Sequence, residues 1–103
     1  WLHVNDHINA LLLVMEKGVI GQQYCIGGDG ERTNINVVTT ICNMLDEMRP
    51  IPGSYTDLIT HVKDRPGNDL RYAIDPTKIQ QLGWKAEYTF EEGLREVVKK
   101  YLE

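Results

Sequence analysis

The chain has 103 residues, 42% of them hydrophobic and 25% charged, and its 11 basic and 15 acidic side chains give a net charge of -4. That is material for one modest core and not for two independent ones. The acidic balance excludes a nucleic-acid or membrane-surface binder that works through bulk positive charge, and no apolar run approaches the roughly 18 residues of a spanning helix.

The chain opens without Met and without a charged-then-apolar leader, so it is expected to be a piece of a longer protein. Val4, Ile8, Leu11, Leu12 and Met15 share one face at helical spacing. This predicts a helix over residues 5–17, capped by Asn5 or Asp6 and ended by Gly18 as a left-handed terminator. Leu13 and Val14 widen its apolar stripe, so the helix is either central or packed on a partner. Residues 23–26, Gln-Tyr-Cys-Ile between Gly21 and Gly27-Gly28, favour a strand. Thr33 or Asn34 can cap a second helix, whose stripe of Val38, Ile41, Leu45 and Met48 is broadened by Val37 and Met44. Arg49-Pro50-Ile51-Pro52-Gly53-Ser54 ends it.

Residues 58–62 and 72–74 read as two further strands. Asp75-Pro76 then gives a capping Asp before a Pro at the first helical position, opening a short helix with Ile79 and Leu82 inward and Gly83 as its stop. Thr89 with Glu92 is a capping box ahead of a last amphipathic stripe, Phe90, Leu94, Val97, Val98 and Tyr101. The expected fold is α/β of an α+β-like kind, in the order α-β-α-β-β-α-α, as one region over residues 1–103. Two cysteines, Cys25 and Cys42, are too few for a disulfide scaffold and are expected as buried free thiols in a reducing cytosol.

Four stretches could carry chemistry. Gly28-Asp29-Gly30-Glu31-Arg32-Thr33 follows an expected strand and opens a helix, as a dinucleotide fingerprint does. However, Thr33 stands where the third glycine belongs, and Asp46 and Glu47 lie inside a helix rather than after a second strand. The stretch reads as a glycine-rich strand-to-helix loop that leaves room for a polar contact from Asn34. His3 and His7 are four apart, but Val4 stands where a zinc protease needs Glu, so no metal site is expected. His61, alone in an expected strand, reads as packing or surface.

In Asp64-Arg65-Pro66-Gly67-Asn68-Asp69, Pro66-Gly67 fits the centre of a type II turn that would bring Arg65 and Asn68 together at its base. Arg offers a planar fork for a phosphate and Asn a bond to a base edge or sugar hydroxyl. The same residues also make an ordinary solvated turn, with Arg65 paired to Asp64 or Asp69. No Ser-His-Asp or Cys-His arrangement is present, and no Tyr is followed four positions later by Lys. No catalytic residue is assigned.

Read together, several stretches resemble the extended short-chain dehydrogenase/reductase family, and within it the C-terminal part of the dTDP-glucose 4,6-dehydratase branch. They are Trp1-Leu2-His3-Val4-Asn5-Asp6-His7, Tyr24-Cys25-Ile26-Gly27-Gly28, Thr33-Asn34, the Asp64–Asp69 run with Arg71-Tyr72-Ala73-Ile74-Asp75, Lys78 leading to Leu82-Gly83-Trp84, and Thr89-Phe90-Glu91-Glu92-Gly93-Leu94. The resemblance implies a substrate-binding region without the Rossmann core. A missing N-terminal Rossmann domain would hold NAD, and no cofactor is expected in this stretch.

The implied reaction of the whole enzyme oxidises C4 of a dTDP-glucose, loses water across C5 and C6 and returns the hydride to C6. Carried over by position, Asn34 and Arg65 would contact the diphosphate of a dTDP-sugar, and Asp64, Pro66, Gly67 and Asn68 would shape the nucleotide pocket. Asn68 stands where the family usually has His, and His3 where it commonly has Tyr. A cytoplasmic homodimer is expected, and the acidic charge balance and lack of a long apolar run leave no nucleic-acid or membrane partner expected. Two other readings are a nucleotide-sugar epimerase and a small interaction module that docks through its apolar helix faces.

Overall fold

A computed structural model describes all residues, Trp1–Glu103. The chain forms α1 (Val4–Lys17), α2 (Asn34–Met48), a 3-10 helix (Tyr55–Leu58), α3 (Thr77–Gln80) and α4 (Phe90–Leu102). There is no strand and no sheet, which overturns the expected α/β class and its α-β-α-β-β-α-α order. The reason lies in what a strand requires. Residues such as Tyr24, Ile26, Val62 and Tyr72 suit an extended, pleated surface, but a strand also needs a neighbouring backbone to take its N–H and C=O groups. Residues 23–26, 58–62 and 72–74 find none in this chain. Leu58 instead closes the 3-10 helix, where the Ile59 N–H donates to the Thr56 carbonyl at 3.1 Å.

The residues fall into two compact units, 1–31 with 73–93 and 32–72 with 94–103. In the first, Ala10, Ile79 and Trp84 form the core, with Leu2, Leu13, Val14, Tyr24, Ile26 and Ala86 packed against it. The inward face of α1 is therefore Asp6, Ala10, Leu13 and Val14, spaced as one helical stripe. The expected stripe of Val4, Ile8, Leu11, Leu12 and Met15 is exposed, Met15 at 84%. Hydrophobic periodicity pointed to the wrong face because the buried face carries a carboxylate.

That carboxylate explains itself by its bonds. Asp6 is 1% exposed; its two oxygens accept the Glu87 and Tyr88 N–H groups at 2.9 and 3.1 Å. The Trp84 indole N–H donates to the Asp6 carbonyl at 3.1 Å. Buried polar atoms need such partners, since an unmade bond there costs the full desolvation of the group. Asp6 is thus not the helix cap. His3 is, its Nδ1 accepting the Asn5 N–H at 3.1 Å while its ring stacks on Tyr88 at 3.9 Å.

Gly18 ends α1 with φ -66°, not in the left-handed region; its N–H returns to the Val14 carbonyl at 2.8 Å. Gly83, which follows α3, does take φ +101°. The α3 start is shifted by one residue from the expected cap: Pro76 precedes the helix, and the Asp75 carboxylate accepts the Thr77 N–H at 3.0 Å and the Thr77 hydroxyl. Lys78 reaches Gln22 Oε1 at 2.7 Å and lies 4.9 Å over the Tyr24 ring.

In the second unit α2 buries Val37, Cys42 and Met44, so the residues expected to broaden its stripe form its centre. Val98 is the buried residue of the α4 stripe, and Tyr101 is exposed. The Thr33 hydroxyl caps α2 by accepting the Asn36 N–H at 3.2 Å. A second carboxylate lock follows the helix. Asp46 accepts the Ser54 hydroxyl at 2.6 Å and the Tyr55 N–H at 2.8 Å, and the Tyr55 hydroxyl donates to the Arg49 carbonyl at 2.8 Å. Ser54 and Asp57 form a capping box over the 3-10 helix. The Thr89–Glu92 box at the start of α4 is present as expected, with the Glu92 N–H 3.2 Å from the Thr89 hydroxyl.

Candidate functional site

The site begins with Pro66, whose ring holds φ near -65°, and Gly67, which takes φ +70°. A negative then a positive φ at the two central positions is the type II turn that the sequence suggests. The Asn68 N–H returns to the Arg65 carbonyl at 3.3 Å and closes it. The turn brings Arg65 and Asn68 together at its base: Arg65 Nε and Nη2 both donate to Asn68 Oδ1, at 3.0 and 2.9 Å. Asn68 Nδ2 donates to Asp64 Oδ1 at 2.9 Å, and the same oxygen accepts the Arg65 N–H at 2.9 Å. The guanidinium therefore pairs with the amide of Asn68, not with the carboxylates of Asp64 or Asp69.

Asn34 is the first residue of α2 and is exposed. It lines an open, mainly apolar hollow of about 610 Å³ together with Ile35, Val38, Tyr55, Leu58 and His61. Val62 belongs to the same lining, two residues before Asp64. No hydrogen bond joins Asn34 to the turn residues. Five of the six residues carried over by resemblance, Asp64, Arg65, Pro66, Gly67 and Asn68, thus lie in one built turn, and Asn34 lines the neighbouring hollow.

The wall that Tyr55, Leu58 and His61 contribute was not legible as a surface, because their segment has no hydrophobic period. Its one sequence signal is the Ser54–Asp57 capping box. Hydrogen bonds from the Ser54 hydroxyl and the Tyr55 N–H hold the Asp46 carboxyl below the usual carboxylate range. The Thr77 hydroxyl and N–H do the same for Asp75.

The glycine-rich loop does not fit a dinucleotide. A side chain at Gly30 would fall on the Trp1 carbonyl, and the Trp1 nitrogen donates to the Gly30 carbonyl at 3.2 Å. A Cβ at Gly28 would meet Leu2 Cδ1 at 3.2 Å. The close approach that these glycines permit is taken by the chain's own first residues rather than left for a pyrophosphate. No group of three His, Cys, Asp or Glu side chains is placed to hold an ion. Both cysteines are free; Cys42 is buried as expected, but Cys25 is exposed. No helix is long and apolar enough to cross a membrane.

Comparison with known proteins places this geometry in a family. Residues 1–97 match the GDP-mannose 4,6 dehydratase family. The chain is 53% identical to a probable dTDP-glucose 4,6-dehydratase of Sinorhizobium fredii, covering 100% of this chain and 30% of that protein. It is 50% identical to the dTDP-glucose 4,6-dehydratase of Haemophilus influenzae, covering 99% of this chain and 32% of that one. A crystal structure of the Bacillus anthracis dTDP-glucose 4,6-dehydratase in complex with NAD superimposes with a TM-score of 0.83 at 40% identity, over 99% of this chain and 30% of that one. The chain spans about 30% of the length of these relatives and matches their C-terminal part. It belongs to the GDP-mannose 4,6 dehydratase family.

Proposed function

We propose that this stretch is the nucleotide-sugar-binding region, residues 1–103, of a dTDP-glucose 4,6-dehydratase, a cytoplasmic homodimer that converts dTDP-glucose to its 4-keto-6-deoxy product with loss of water. NAD is bound by the Bacillus anthracis relative; in this protein we assign it, with the acid, base and hydride chemistry, to residues outside this stretch. The stretch alone is inactive, in keeping with the lack of a catalytic set among its residues.

Its part is to hold the substrate by the end that does not react. Arg65 and Asn34 contact the diphosphate, and Asp64, Pro66, Gly67 and Asn68 shape the pocket around them. Binding energy from that remote group orients the sugar for the reaction, so its loss is felt in turnover as well as in affinity. The observation that carries this reading is the turn itself: a planar cation held by a hydrogen-bonded partner and stabilised in one geometry.

The test is Arg65→Ala in the full-length protein, with dTDP affinity measured by calorimetry. Loss of a hydrogen bond to a charged group costs about 1.5–3 kcal/mol, so affinity falls about tenfold to a hundredfold. Unchanged affinity and turnover would overturn the reading.

A further inference from the structure

The turn contains a directed chain of hydrogen bonds, from Arg65 to Asn68 to Asp64. Its direction fixes the Asn68 amide. The oxygen faces the guanidinium and the nitrogen faces the Asp64 carboxylate, and a flipped amide would set donor against donor on one side and acceptor against acceptor on the other. The Asn68 oxygen is thereby engaged twice by Arg65. Of the guanidinium's five N–H groups, Nε–H and one hydrogen of Nη2 are taken by that oxygen. What remains is the terminal edge: both hydrogens of Nη1 and the second of Nη2. This edge is one of the two faces by which an arginine grips an oxyanion with parallel bonds. The partner that occupies the other face is neutral, so the guanidinium is held without having its charge cancelled.

From this geometry we propose that Asn68 is a positioning residue rather than a ligand contact. Backed by Asp64, it holds the side edge of the Arg65 guanidinium and leaves the Nη1/Nη2 edge for bidentate, end-on contact with a diphosphate. The proposal rests on the reading of Arg65 as a diphosphate contact. It separates two roles that the carried-over residue set lumps together, the group that touches the anion and the group that aims it.

A double-mutant cycle in the full-length protein tests this, with dTDP and thymidine as probes in parallel titrations. Freeing a long side chain that was held in place costs about 0.5–1.5 kcal/mol on binding; Asn68→Ala is therefore expected to weaken dTDP binding by about three- to tenfold. Thymidine, which lacks the diphosphate, should bind both proteins alike and so report that the pocket is intact. In an Arg65→Ala background the Asn68→Ala effect should vanish, because there is no longer a fork to aim. An effect of equal size in that background, an equal loss for thymidine, or no loss at all would each overturn the positioning role while leaving Arg65 as a contact. If Arg65→Ala alone leaves dTDP affinity unchanged, the diphosphate reading falls and this one with it.

Discussion

Two carboxylates, Asp6 in the first unit and Asp64 in the second, each organise neighbouring groups by hydrogen bonds, under opposite conditions. Asp6 is out of water and spends both oxygens on backbone N–H groups of residues 87 and 88. Asp64 is exposed, and one of its oxygens serves a backbone N–H and the Asn68 amide. Burial of the Asp6 carboxylate makes the first bond set costly to lose, since little solvent reaches its oxygens to replace it. Exposure makes the second cheap to lose in stability, because water can replace each bond. The difference teaches where each unit's sensitivity lies: the first in folding, the second in what the turn presents.

The sharpest way to break that contrast is Asp6→Ala. Two part-buried N–H groups lose their acceptor at about 1–3 kcal/mol each, so urea unfolding should show a loss of about 2 kcal/mol or more, against less than about 0.5 kcal/mol for Asp64→Ala. Similar values for the two would erase the distinction. Next is Gly30→Ala. Its methyl group would overlap the Trp1 carbonyl, and the backbone of one of the two must move. A loss of about 2 kcal/mol is expected in the same measurement.

Ser54→Ala removes a cap and a donor to Asp46 at once. Thermal unfolding should show a loss of about 1 kcal/mol, and the Asp46 carboxyl should titrate closer to its ordinary range by carbon-detected NMR. Smallest is the pH effect itself. The folded-state pKa values of Asp46 and Asp75 lie below their unfolded values. Their contribution is therefore present above the ordinary carboxylate range near pH 4 and is lost as pH falls through the depressed values. Stability measured between pH 5 and pH 2 should decline with acid, and the decline should be shallower in Ser54→Ala.

What the sequence revealed and what it hid follow one pattern. Features specified within a few residues were legible: the type II turn at Pro66-Gly67, the Thr33 and Thr89 caps, the Gly83 stop. Each is set by local dihedral limits or by a side chain reaching its own neighbourhood. Features that depend on distant partners were not. The three β-favouring segments have the right residues but no ladder. The α1 stripe of Val4, Ile8 and Met15 has helical spacing but faces outward, because a partner at residues 84–88 draws Asp6 inward. For the site, residue type and spacing foretold the meeting of Arg65 and Asn68. They did not foretell that the amide would engage the side edge of the guanidinium, which depends on Asp64 fixing the amide's sense.

The two tryptophans, Trp1 at 61% exposure and Trp84 at 6% with its indole N–H bonded to the Asp6 carbonyl, give the first unit a built-in optical reporter. Iodide can collide with one ring and not with the other, so emission divides into a quenchable and a shielded part. The shielded part is also the bluer, because its indole relaxes among side chains instead of solvent. Any event that pulls α1 away from residues 84–88 transfers light from the second part to the first, and so opening of that unit can be followed without adding a label.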